Sequence, residues 1–190
     1  MKRISLAIAF VLVACTAFSQ TWVSDPAHSR LGFTISHLTI SQITGNFKQF
    51  ELKVISTRAD HSDAKVEVTA QIASINTDVE PRDTHLKSAD FFDVQQYPTL
   101  NFKSTSLKKM KGNNYKLVGN LTMHGITKPV VLYVVMNGTV TNPMNKKVTT
   151  GFTIKGVLKR SDFNIGGKFP EAMVGNNVTL IASAELSSGI

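Results

Sequence analysis

Residues 65–72 read KVEVTAQI, with Val66, Val68, Ala70 and Ile72 on one parity and Lys65, Glu67, Thr69 and Gln71 on the other. A period of two places alternate side chains on opposite faces of a strand, one dry and one wet. The same alternation recurs along the chain. Leu31, Phe33 and Ile35 alternate with Gly32, Thr34 and Ser36, and Leu100 and Phe102 with Asn101 and Lys103. Leu117, Leu121 and Met123 share a parity with Gly119, against Lys116, Asn120 and Thr122. Phe152 and Ile154 alternate with Gly151, Thr153 and Lys155, and Val178, Leu180, Ala182 and Ala184 with Asn177, Thr179, Ser183 and Glu185. Half-wet strands belong to antiparallel sheets, because parallel sheets are covered on both faces.

Turn chemistry separates the runs at Lys111-Gly112-Asn113-Asn114, Met136-Asn137-Gly138, Asn142-Pro143 and Gly175-Asn176-Asn177. The spacing predicts eight strands at about 29–36, 43–55, 64–75, 98–107, 114–123, 128–137, 147–159 and 177–187. Long antiparallel strands of this kind close into a barrel or stack as a sandwich. Residues 128–137, KPVVLYVVMN, are apolar on both parities. Such a strand calls for cover on its outer face, from a helix or from a second copy of the chain docking near Val131, Tyr133 and Val135 as a homodimer. Residues 81–97, PRDTHLKSADFFDVQQY, break the alternation. Thr84 to Lys87 suit a helical turn and Ser88 is placed to cap Ala89-Asp90-Phe91-Phe92. Pro98 then restarts an extended strand, so a helical connection is expected near residues 82–95.

The chain has 190 residues, 42% of them hydrophobic, with a formal charge of +8 and one cysteine. That is the size of one domain with a real core, and one cysteine excludes a disulfide framework. Lys2 and Arg3 precede an apolar run at 4–14, too short to span a bilayer. Ala17 and Ser19 are small residues placed for cleavage before Gln20. The expectation is a signal peptide at 1–19, a mature domain at 20–190 and a periplasmic location. Leu12-Val13-Ala14-Cys15 offers the alternative of a lipid anchor on Cys15.

Several chemistries find no motif. His28, His37, His61, His85 and His124 stand in no HExxH or HxH spacing, so no metal and no cofactor is expected. There is no Gly-x-Ser-x-Gly elbow and no phosphate-binding loop, and the chain is not expected to be an enzyme. Scattered lysines on an exported chain argue against nucleic acid. The lysines between Lys103 and Lys111 read as a solvated hairpin, with transient contact to an anionic membrane as the other reading.

The opening Trp22-Val-Ser-Asp25-Pro26-Ala27-His28-Ser29, with Leu31-Gly-Phe33, resembles that of the YceI-like family of bacterial polyisoprenoid-binding proteins. Four further segments are similar to that family in order and spacing. They are Gly45-Asn-Phe47-Lys-Gln-Phe50, the stretch from Ser74 through Arg82-Asp83-Thr-His85 to Phe102-Lys-Ser104, Gly119 to Lys128, and Arg160-Ser-Asp162-Phe163 with Gly166. The resemblance implies a lipocalin-like fold, an extended eight-stranded antiparallel β-barrel holding a long isoprenoid chain. The apolar lining it implies is Leu31, Phe33, Ile35, Phe47, Phe102, Leu121, Met123, Phe152, Ile154, Val178 and Leu180, with Phe91 and Phe92 at the mouth or anchoring the connection. Arg82, Asp83 and His85 are the candidates for a head group, against a structural role in which Arg82 and Asp83 pair. Asp25, His28 and Ser29 are read as tying down the first turn, and Arg160 with Asp162 as a structural pair. An eight-stranded barrel is just wide enough to be filled by side chains or to hold one thin ligand. At about 0.8 kcal/mol per buried CH₂ a long prenyl chain gains tens of kcal/mol gross, most of it offset by ordering. The ligand expected is a polyprenyl phosphate, a prenyl quinone or another long-chain amphiphile such as a fatty acid or fatty amide; a filled core would instead leave a protein partner.

Overall fold

A computed structural model describes residues 20–58 and 60–188; the signal peptide expected at 1–19 and the alternative anchor at Cys15 lie outside the described residues. Eleven strands form one antiparallel sheet in the order β1-β4-β5-β7-β8-β9-β10-β11-β2-β3-β6, and β1 pairs back onto β11. The strands are β1 (Gln20–Ser24), β2 (Arg30–His37), β3 (Ser41–Phe47), β4 (Phe50–Ser56), β5 (Lys65–Gln71), β6 (Ile75–Asn76), β7 (Thr99–Lys109), β8 (Asn114–Met123), β9 (Ile126–Thr141), β10 (Val148–Lys159) and β11 (Val174–Ser188).

The order becomes simple once three long strands are seen to be broken. β1 and β2 both pair with β11, at Trp22↔Ser188 and Leu180↔Phe33. β4 and β3 pair with β1 and β2 respectively, and β5 and β6 with β4 and β3. Three bent staves and five continuous ones therefore make a closed eight-stranded antiparallel barrel, with each stave beside its sequence neighbour. The expected strands at 43–55 and 64–75 correspond to bent staves. The first breaks between Phe47 and Phe50, and the second at a 3₁₀ turn, Ile72–Ser74. The expected count of eight omitted β1, which continues the first stave toward the N-terminus.

At the first break Asp25 accepts hydrogen bonds from the Ala27 N–H (2.9 Å) and pairs with His28 Nδ1 (2.9 Å), while Ser29 Oγ accepts the Glu185 N–H (3.2 Å). These three residues do tie down the first turn. The β7 strand carries a bulge between Ser104 and Ser106, and Ser104 Oγ accepts the Val66 N–H there (2.9 Å). β8 and β9 are joined by His124 and Gly125, both at positive φ (51° and 73°), as a two-residue hairpin turn requires. A Cβ on Gly125 would also stand 2.7 Å from the Tyr97 ring.

The connection at 77–98 contains one helix, α1 (Glu80–Lys87), with Pro81 in its first turn. Ser88 terminates this helix instead of starting another; its hydroxyl donates to the His85 carbonyl (2.8 Å), and residues 89–97 run on as turns. Among the described residues α1 does not cover the strand at 128–137 and packs on β6 instead. Val130, Leu132 and Val134 are buried in the barrel, and Val131, Tyr133 and Val135 remain exposed outside.

Arg160 does not pair with Asp162. It is buried, and its guanidinium donates to five carbonyls: Gly175 through Nε (3.2 Å), Ile165 and Gly166 through Nη1 (3.0 and 2.6 Å), and Phe169 and Val174 through Nη2 (2.5 and 3.0 Å). Five donors meet five acceptors, so one side chain gathers the 165–175 segment onto the barrel end. Lysine has the charge but neither the fork nor the donor count. Arg160→Lys is expected to lower the unfolding free energy by about 3 kcal/mol, the scale of losing hydrogen bonds made by a buried charge. Urea denaturation measures it, and a loss of a few tenths would show that the segment is held by something else.

Candidate functional site

The barrel holds two adjoining spaces. The wider one, about 610 Å³, lies among β2, β3, the start of β11, α1 and the 160–174 segment. The narrower one, about 150 Å³, lies toward the β4–β5 connection and the β7–β8 hairpin. Leu31, Leu100, Leu121, Leu158 and Leu180 line both, forming a leucine collar between them.

Which residues are fully covered distinguishes a tunnel from a filled core. Leu31, Phe33, Ile35, Ile154, Leu158, Val178 and Leu180 sit on inward parities yet are only half-buried. In a packed core such positions would have no accessible surface. Around the narrow space the lining is mixed: Leu117 and Leu186 are covered, at 4% and 3% exposure, while Leu52, Val66, Val68 and Leu107 are half-buried.

The sequence-predicted lining residues all reach one space or both. Phe33, Ile35, Phe47, Phe91, Phe92, Met123 and Val178 line the wide space; Phe102, Phe152 and Ile154 line the narrow one; Leu31, Leu121 and Leu180 belong to the collar. Phe91 and Phe92 both anchor and line. Phe91 stacks on Phe169 with centroids 4.9 Å apart, and Phe92 meets Phe47 edge-on at 6.2 Å. Two walls from distant parts of the chain thus meet over the wide space.

The three polar candidates separate. Asp83 is buried and does not line the space; its Oδ1 accepts both the N–H (2.9 Å) and the hydroxyl (2.5 Å) of Thr77. Arg82 lines the wide space and does not pair with Asp83. Its Nε donates to Thr77 Oγ1 (2.7 Å) and its Nη2 to the Thr77 carbonyl (2.7 Å). The N-cap residue Val79 offers no side-chain cap, and this Thr77-centred cluster holds the start of α1 in its place. His85 also lines the space, with its ring against Phe91 and Phe169 and its Nε2 on Asp90 Oδ2 (3.1 Å). Lys168 and His85 hold the Asp90 carboxyl below its usual range through their hydrogen bonds. Ser36, His37, Ser41, Thr77, Lys159 and Arg160 complete the polar lining; Ser41 and Lys159 are exposed and mark the mouth.

Sequence reasoning missed most of the narrow end. Leu52, Val54, Leu107, Tyr115, Val130, Leu132 and Val134 line it. The inward parity of their strands was the signal that could have found them. His61, in the connection from β4 to β5, carried no such signal. That connection packs over the narrow end: Tyr115 Oη donates to the Asp60 carbonyl (2.7 Å), and Asp63 accepts from the Ser56 (2.5 Å) and Thr57 hydroxyls and the Thr57 N–H (2.9 Å). These hydroxyl and amide donors outweigh the raising effect of burial and hold Asp63 far below the ordinary carboxylate range. His61 is buried between Trp22 and Phe152, with ring centroids 4.5 and 5.4 Å away.

Comparison with known proteins follows the same residues. The family model described as the YceI-like domain matches residues 22–186. A UPF0312 protein of Staphylococcus aureus strain N315 is 38% identical over 169 residues, covering 86% of this chain and 95% of that one. A UPF0312 protein of Photorhabdus laumondii is 36% identical over 170 residues, covering 86% and 88%. The crystal structure of a Campylobacter jejuni YCEI protein is similar at a TM-score of 0.74, 28% identity and 100% coverage of both chains. A polyisoprenoid binding domain from Saccharophagus degradans shares the fold at a TM-score of 0.63 and 13% identity, covering 89% of this chain and 98% of that one.

Burial pushes the His61 pKa down, only partly countered by the charges of Asp60 and Asp63. With the folded-state value below the unfolded one, the unfolded chain takes up the proton first. Stability is therefore lost as pH falls through about 6.5. Between pH 7.5 and pH 5 the urea midpoint of the wild type is expected to fall further than that of His61→Phe. Equal falls would place the acid sensitivity elsewhere.

Proposed function

The chain belongs to the YceI-like family, and on that premise we propose that it is an exported carrier holding a long isoprenoid lipid inside the barrel. The observation that carries the reading is the set of inward-facing apolar residues left half-exposed around the 610 Å³ space. At about 24 cal/mol per Å³ an empty dry void of that size would cost about 15 kcal/mol, as much as the whole stability of a typical domain. A long apolar occupant removes that cost, and walls with few polar partners suit water poorly. The narrow space adjoins the wide one across five shared leucines, so an extended chain passing between them would occupy both. A fold neighbour is described as a polyisoprenoid binding domain, which supports an isoprenoid over other amphiphiles.

The proposed ligand class is a prenyl quinone or a polyprenyl phosphate, held for transport or storage. Binding rather than catalysis suits the site, because acid–base chemistry needs convergent polar groups at one reacting atom and the collar offers only leucines. The proposed setting is the periplasm, reached through the signal segment at 1–19 or with an anchor on Cys15. Water holds such lipids poorly, so moving one across that compartment calls for a carrier.

Organic extraction of the protein purified from its own periplasm is expected to release a stoichiometric prenylated lipid, identified by mass spectrometry. An empty extract from folded protein that then takes up no added prenyl lipid would sink the carrier reading. Phe33→Asp, which puts a charge into the wide space, is expected to weaken capture at least tenfold, with the circular dichroism of the barrel retained. Undiminished capture would mean that the chain does not run past β2.

A further inference from the structure

The narrow end contains a polar group that a purely apolar tail would not need. His61 is 3% exposed, lines the narrow space, and its Nδ1 is buried without a hydrogen-bond partner. An unmade hydrogen bond on a buried group costs about 1–3 kcal/mol, so such atoms call for a partner. Tyr115 is the other buried residue lining this space with a polar side chain, and its hydroxyl is already donated to the Asp60 carbonyl. The rest of the buried lining is hydrocarbon or aromatic.

The ring is held in place rather than loose. Trp22 and Phe152 meet it edge-on from two sides, and Nε2 faces the fully buried Thr150 Oγ1 at 3.4 Å. Thr150 in turn shares a 2.9 Å hydrogen bond with Thr139 Oγ1. Nε2 and the two threonines can settle either tautomer, so Nδ1, now covered by its neighbours, can accept from a hydroxyl or donate to a carbonyl once a ligand oxygen displaces that cover. A charged group is disfavoured here, because the lining is mostly apolar and burial disfavours the charged form of His61 itself.

We propose that His61 Nδ1 at the narrow end is a binding subsite for an uncharged oxygen of the ligand, a hydroxyl or carbonyl, so that the lipid lies head-inward with its prenyl tail through the leucine collar toward the mouth. The inference rests on the carrier reading and adds to it the orientation of the ligand and the charge of its head. It selects prenyl quinones and prenyl alcohols over prenyl phosphates.

Two probes of equal chain length test it on the mature protein: geranylgeraniol and the matching hydrocarbon without the hydroxyl. The wild type is expected to bind the alcohol about tenfold more tightly than the hydrocarbon, the ratio that one satisfied buried hydrogen bond produces. In His61→Phe, which keeps an aromatic ring against Trp22 and Phe152, the ratio should fall to about one. In the unaltered protein with ¹⁵N-labelled histidine, the His61 Nδ1 resonance should shift with the alcohol and not with the hydrocarbon. Equal affinities with an unmoved Nδ1 resonance would overturn the subsite and leave the carrier standing. Failure of both probes to bind would overturn the carrier reading and the subsite with it.

Discussion

Closure of β1 onto β11 is the constraint on which the rest depends. A sheet that ends must leave a row of backbone donors and acceptors unpaired. Here the row is satisfied by Trp22↔Ser188 and its neighbours on one side and by β4 on the other. Once eight staves are joined in a ring, the interior is fixed by backbone hydrogen bonds and not by how well side chains fill it. The barrel can therefore keep a space that an ordinary core would collapse. The half-exposed Phe33, Ile35 and Val178 follow from that rigidity.

The same ring explains why three staves are broken. At Asp25–Ser29 and at 48–49 the chain changes direction, so that each half of a stave pairs with a different length of its neighbour. The third break, at 72–74, ends β5 and leads through β6 to α1. The wide end is then roofed by two segments far apart in sequence, 77–97 and 160–174, brought together by the Phe91–Phe169 stack. Each segment is held by a buried charge. Asp83 gathers Thr77, and Arg160 gathers five carbonyls. Removing a charge from water costs several kcal/mol, and in both cases dense hydrogen bonding offsets it. Both groups are spent on holding shape, although Arg160 also borders the wide space.

Much of this was legible in the chain because it is local. Period-two alternation gave the inward faces of Leu31, Phe33, Phe102, Leu121, Phe152 and Leu180, and each lines the barrel. The resemblance carried by Arg82 to Asp93 and by Gly119 to Lys128 turned a choice between barrel and sandwich into a barrel. Roles of charged residues were less legible. An arginine next to an aspartate suggests a pair, yet Arg82 and Asp83 face Thr77 separately, and Arg160 ignores Asp162 for carbonyls up to fifteen residues away. Sequence proximity says little about where a long side chain finds its partner.

By itself, then, the sequence determined the strand faces, the number of staves and the family, because alternation and motif spacing are properties of neighbours along the chain. Only the tertiary structure decided that the barrel is hollow, that five leucines border both of its spaces, and that His61 Nδ1 is without a partner at the narrow end. Those facts depend on residues scattered over the whole chain meeting across a ring, and on the space left between them. No pattern of neighbours encodes an empty volume.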